Sequence, residues 1–64
     1  MGRNIAKVRQ AKSLTQKELA EKAGISLSYL KKIEKGHYKK PHIKTLSIIA
    51  NALETDLRKL WEEE

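Results

Sequence analysis

The chain has 64 residues, with 14 Lys or Arg against 8 Asp or Glu and a formal net charge of +6. At 39% hydrophobic and 34% charged residues it suits one small folded domain, residues 1–64, being too short for a second core and too apolar for a typical disordered chain. No apolar run approaches the roughly 18–20 residues that cross a bilayer, Met1–Ser13 lacks a signal-peptide core, and the absence of cysteine excludes disulfides and thiolate metal sites.

Helical periodicity runs throughout, and nothing alternates long enough to support a strand. The spacing predicts a first helix from about Asn4 to Lys12, with Ile5 and Val8 inward and Lys7 and Gln10 outward. Thr15 followed by Glu18 is a capping box, and Leu14 with Leu19 has the spacing of a hydrophobic staple. A second helix is therefore predicted over Gln16–Ala23, closed by Gly24 in the left-handed conformation. Ser26 caps a third helix from Leu27 to about Lys35, ending at Gly36, with Leu30 and Ile33 inward and Ile25 and Tyr29 at the margin. A basic loop, His37–Pro41, leads to a fourth helix over Ile43–Leu53, with Ile43, Leu46, Ile49, Ala50 and Leu53 inward. Thr55 or Asp56 caps a short last helix carrying Leu57, Leu60 and Trp61. Trp61 reads as core and Glu62-Glu63-Glu64 as a solvated end. Five short helices make a compact all-α domain.

Charge is unevenly spread. Residues 1–44 hold twelve Lys or Arg against three Glu, whereas 45–64 hold two against five acidic residues. Six lysines fall between Lys31 and Lys44, opposed only by Glu34. A basic face of this kind fits a polyanion, or is simply a solvated lysine-rich surface. No Ser/His/Asp set, paired carboxylates or phosphate-cradling glycine loop stands out, so the sequence reads as non-enzymatic, without cofactor or small-molecule substrate. His37 and His42 lack plausible third and fourth metal ligands. His42, beside Pro41, is placed instead near a nucleic-acid backbone or minor groove.

The second and third helices are separated only by Gly24, Ile25 and Ser26. Such a tight, glycine-led turn fixes two helices at a steep angle with the second projecting, as in a helix-turn-helix whose second helix enters the DNA major groove. With Leu30 and Ile33 inward, Leu27, Ser28, Lys31 and Lys32 form the outward stripe. Serine bonds base edges or phosphate, lysine donates to guanine, and leucine offers contact to a thymine methyl. Leu27, Ser28 and Lys32 are assigned to base readout, with Lys31 at the groove edge. The plainer alternative makes Leu27 an exposed leucine and the lysines solubilising. RNA is disfavoured, because an A-form major groove excludes a helix.

Residues 14–36, above all Thr15-Gln16, Glu18-Leu19-Ala20, Gly24-Ile25-Ser26, Ile33-Glu34 and Gly36, closely resemble the Cro/cI-type, or XRE, helix-turn-helix family of lambdoid phage repressors. The resemblance extends from about Ile5 to Leu60. It implies a five-helix lambda-repressor-like fold, a helix-turn-helix core over about 15–36, and sequence-specific binding of double-stranded DNA by a recognition helix over about 27–35. It places Gln16 against phosphate, and Lys35, His37, Tyr38, Lys39 and Lys40 where related repressors grip the backbone; Ser26, the cap of the third helix, is read as a phosphate or sugar neighbour as well. It also implies an ion pair of Arg9 with Glu34 that braces the recognition helix and leaves Arg9 able to face a phosphate.

Two departures stand out. Family members usually carry glycine after the Ala-Leu pair of the fourth helix, where this chain has Glu54, so another turn geometry is expected there. Many repressors also add a dimerisation or sensor domain. The chain thus reads as a transcriptional regulator domain, an excised fragment, or a small engineered DNA binder, acting as monomer or weak homodimer and cytoplasmic if natural. The alternative is a protein-interaction module, antitoxin-like or a repressor partner, marked by an exposed apolar patch on the fourth and fifth helices.

Overall fold

The computed structural model describes residues 2–38 and 41–61, with only the backbone of Trp61. The contacts expected of Lys39 and Lys40, the core role of the Trp61 side chain and the solvated end at 62–64 lie outside the described residues. Five helices follow in order: α1 Gly2–Ala11, α2 Gln16–Ala23, α3 Leu27–Glu34, α4 Ile43–Leu53 and α5 Leu57–Trp61. The second and fourth match the sequence reading residue for residue. The first begins two residues earlier than expected and ends one earlier. The third ends at Glu34, with Lys35 (φ −78°, ψ −5°) as its cap. None of these helices is long and apolar enough to cross a membrane.

Local chemistry explains the boundaries. Thr15 Oγ1 accepts from the Glu18 amide at 3.0 Å, and the Glu18 carboxylate accepts from the Thr15 amide at 2.8 Å, which completes the capping box. That backbone bond, helped by the Thr15 hydroxyl, holds the Glu18 carboxyl below its ordinary pKa. Ser26 Oγ accepts from the Tyr29 amide at 3.1 Å to start α3. For α5 the cap is Asp56, whose Oδ1 accepts from the Arg58 amide at 3.1 Å.

The first four helices close in the same way. The amides of Leu14, Ile25, His37 and Thr55 reach back to the carbonyls of Arg9, Ala20, Lys32 and Ala50 at 3.0–3.1 Å, the long bond of a Schellman motif. Each motif needs one left-handed residue, and these are Ser13 (φ 59°), Gly24 (71°), Gly36 (81°) and Glu54 (55°). At Gly24 an added Cβ would meet nothing within 4 Å, so the backbone angle alone calls for glycine.

Glu54 corrects the sequence reading: the turn keeps its left-handed geometry with a glutamate in it. The Glu54 and Thr55 amides bond Asn51 and Ala50 carbonyls at 3.0 Å, while Leu53 and Leu60 are buried on either side. Together these hold the reversal against the side chain's preference. Left-handed φ costs an L-residue about 1–2 kcal/mol, partly offset because glycine has more unfolded-state freedom to lose. Glu54→Gly is expected to stabilise the domain by about 0.5–1 kcal/mol, read as a rise in thermal midpoint; a fall would show that the glutamate side chain contributes something the backbone angle conceals.

The core gathers Ile5 from α1, Leu19, Ala20 and Ala23 from α2, Leu30 and Ile33 from α3, Leu46, Ile49, Ala50 and Leu53 from α4, and Leu60 from α5. Helix α1 packs on α3 and α5, α2 on α3 and α4, and α4 on α5. Ile43 departs from its expected inward place and is 55% exposed. It shares a helical face with Leu46, but it is the first residue of α4 and stays open to solvent while Leu46, one turn on, is buried. Beside it lies a shallow cavity lined by Ile43 with Asp56, Leu57 and Arg58 from the start of α5.

Candidate nucleic-acid interface

The turn from α2 to α3 consists of Gly24, Ile25 and Ser26, with Gly24 left-handed and Ser26 extended (φ −73°, ψ 149°). Ile25 packs against the core from this turn, and Leu30 and Ile33 anchor α3 by complete burial. At about 100° per residue, Ser28, Lys31, Lys32 and Lys35 fall within one arc opposite those anchors, and all four are exposed. Leu27 does not stand clear with them. It lies at the edge of the arc, between the lysines and Leu30, and is half-buried against the core.

The acidic residue of α3 is turned away from this face. Glu34 Oε2 accepts from Arg9 Nε at 2.8 Å, and Oε1 accepts from Arg9 Nη2 at 3.1 Å and from Gln16 Nε2 at 2.9 Å. Arg9 Nη1 donates to the Leu14 carbonyl at 2.9 Å. The pair is largely withdrawn from solvent, with side-chain exposure of 12% for Arg9 and 6% for Glu34. The ion pair implied by the resemblance is therefore present, and it joins α1, the turn before α2, the start of α2 and the end of α3. With the negative charge so bound, the exposed arc of α3 carries lysine and serine only.

Beyond α3, an aromatic chain ties the following loop back to the bundle. The His37 ring meets Tyr38 edge-on with centroids 5.2 Å apart, and Tyr38 meets Tyr29 edge-on at 5.7 Å. The Tyr29 hydroxyl lies 3.5 Å from Thr45 Oγ1 on α4. His37 and Tyr38 are exposed, as is His42. His42 has a structural task too: its Nδ1 accepts from the Lys44 amide at 3.1 Å and caps α4. Sequence reading alone found neither this cap nor the bond from Gln16 to Glu34. An imidazole as cap has no strong sequence signal, and the other two residues lie eighteen positions apart.

Fold and site together define a small helix-turn-helix domain that presents one cationic helix face. The chain belongs to the helix-turn-helix family of the Cro/cI, or XRE, type, which matches residues 5–60. It is 41% identical over 64 residues to the immunity repressor protein of Bacillus phage phi105, covering all of this chain and 44% of that protein. The fold aligns with TM-score 0.90 and 34% identity to the crystal structure of SinR, master regulator for biofilm formation, in complex with DNA, covering 95% of this chain and 97% of that one. The restriction-modification controller protein C.AhdI from Aeromonas hydrophila aligns with TM-score 0.87 and 30% identity, covering 92% and 88%. The chain spans about half the length of the curated relatives it matches.

Proposed function

We propose that this chain is a sequence-specific double-stranded DNA-binding domain of a transcriptional regulator, without enzymatic activity, that inserts α3 into the major groove. The observation that carries the reading is the exposed Ser28, Lys31, Lys32 and Lys35 arc, held outward by fully buried Leu30 and Ile33, on a fold shared with SinR, which was solved with DNA. Ser28 and Lys32 face base edges, Lys31 the groove edge, and Leu27 reaches a thymine methyl from the margin of the arc. Gln16 and Ser26 stand at the starts of α2 and α3, where unpaired amides favour phosphate. Lys35, His37, Tyr38, Lys39, Lys40 and His42 continue the backbone grip. Arg9 serves it by bracing Glu34 through Nε and Nη2, while the second N–H of each Nη is left to face a phosphate. For a natural chain the site of action is the bacterial cytoplasm.

Stoichiometry on DNA is monomer or weak homodimer. The exposed Ile43 and the half-buried Leu57 line one shallow cavity with Asp56 and Arg58, and this is the face a two-fold pairing of copies would cover. This face is also the one that favours a protein partner as the second reading.

Titrations of a selected site and of random duplex test the assignment. Lys32→Ala is expected to weaken the selected site by about 1–3 kcal/mol more than random DNA. Lys39→Ala should weaken both alike and reduce the salt slope by about one unit. Equal losses on both duplexes for both variants reject base readout by Lys32. The same titrations on one and two half-sites report the stoichiometry, since a homodimer binds the pair cooperatively.

A further inference from the structure

Glu34 makes a bond that bracing Arg9 does not require, the one from Gln16 Nε2 at 2.9 Å. A carboxylate can only accept, so it dictates which end of the Gln16 amide turns toward it: the NH₂ end, never the carbonyl. One N–H of that nitrogen is thereby engaged and the second remains. Gln16 is the first residue of α2 and only partly buried, at a helix start where backbone amides are unpaired. A phosphate is likewise an acceptor, and an untethered glutamine amide offers it oxygen as readily as nitrogen.

We propose that Glu34 is a positioning residue for the DNA-backbone contact: it fixes the Gln16 amide so that its nitrogen serves the part-buried carboxylate and a phosphate together. The clamp formed by Arg9 Nε and Nη2 on the carboxylate keeps Glu34 from following the amide outward. The end of α3 and the start of α2 then hold the backbone as one unit, which ties the register of the reading helix to a phosphate it does not touch. The inference rests on the DNA-binding reading above and adds a residue to it.

Electrostatics gives the test a sign. Glu34 is a negative charge beside a site for an anion, so Coulomb's law alone makes its neutralisation strengthen DNA binding. Positioning predicts the reverse. A short random-sequence duplex is titrated at low salt with the unsubstituted protein, Gln16→Ala, Glu34→Gln and the double variant, each checked for folding by circular dichroism. Each single substitution is expected to weaken binding about tenfold, and the double no more than about twofold beyond Gln16→Ala alone. Tighter binding by Glu34→Gln, or losses that multiply in the double variant, overturn the proposal.

Should Glu34→Gln fail to fold, the side-chain amide of Gln16 in the unsubstituted protein decides by NMR. One amide proton shifted from its free-glutamine position and slow to exchange, with the other moving when duplex is added, is expected; both protons at free-glutamine positions and exchange rates overturn the proposal. Failure of the unsubstituted protein to bind any duplex removes the DNA-binding reading itself. Duplex binding without coupling between Gln16 and Glu34 removes only the role given to Glu34.

Discussion

Leu30→Ala is expected to destabilise the domain by about 2–5 kcal/mol, the range for emptying a leucine site in a packed core. A domain of this size has only about 3–5 kcal/mol to lose, so most of the protein should be unfolded at room temperature, or its midpoint should fall by at least about 10 °C. The position is unforgiving because Leu30 and Ile33 are the only fully buried residues of α3, and one turn of helix joins them. Little else can collapse into the space without drawing α3 inward. Ser28→Ala on the exposed arc of the same helix should change stability by no more than about 0.5 kcal/mol. Denaturant melts of the two variants separate anchoring from reading: Leu30→Ala should lose DNA binding in proportion to the unfolded fraction, whereas Ser28→Ala should lose it while folded. A loss below about 1 kcal/mol for Leu30→Ala would mean that α3 is anchored elsewhere.

What the sequence made legible were features written within a few residues of each other. The start of α2 was readable because Thr15, Glu18, Leu14 and Leu19 all lie within about one turn of the cap, and its end because glycine is the residue most at ease in a left-handed closure. The run from Leu46 to Leu53 shows its buried side by spacing alone. Illegible features depended on where a helix ends in space or on residues distant in the chain. Ile43 has the spacing of a core residue, and no periodicity reveals that it stays open to solvent. Glu54 shows that tertiary packing sets a backbone angle against residue preference, and Ser13 takes the same left-handed angle at the end of α1. Leu27 has an outward spacing, yet it stands close enough to Leu30 in angle for the core to draw it in. The Arg9 and Glu34 pair, 25 residues apart, was visible only through likeness to relatives, and Gln16 as its third member was not visible at all.

Removing one partner of that pair should be nearly as damaging as emptying the core. Glu34→Ala leaves the Arg9 guanidinium with 12% side-chain exposure, without its counter-charge and without two of its hydrogen bonds. The expected cost is about 3 kcal/mol, the low end for a buried pair because some solvent still reaches the arginine. The pair itself is not therefore a large source of stability, since both charges lost hydration when the domain folded. Arg9→Met with Glu34→Leu replaces it by apolar groups of similar size and should melt within about 1 kcal/mol of the unsubstituted protein. Binding should not recover with stability. The double substitution leaves net charge unchanged, so simple attraction to phosphate is matched, while the tie from α1 and the start of α2 to the end of α3 is gone. A double variant that folds normally and binds random duplex with undiminished affinity would show that the brace is dispensable for holding α3 against DNA. A Glu34→Ala cost under about 1 kcal/mol would place the pair among ordinary solvated ion pairs, where little orientation can be fixed.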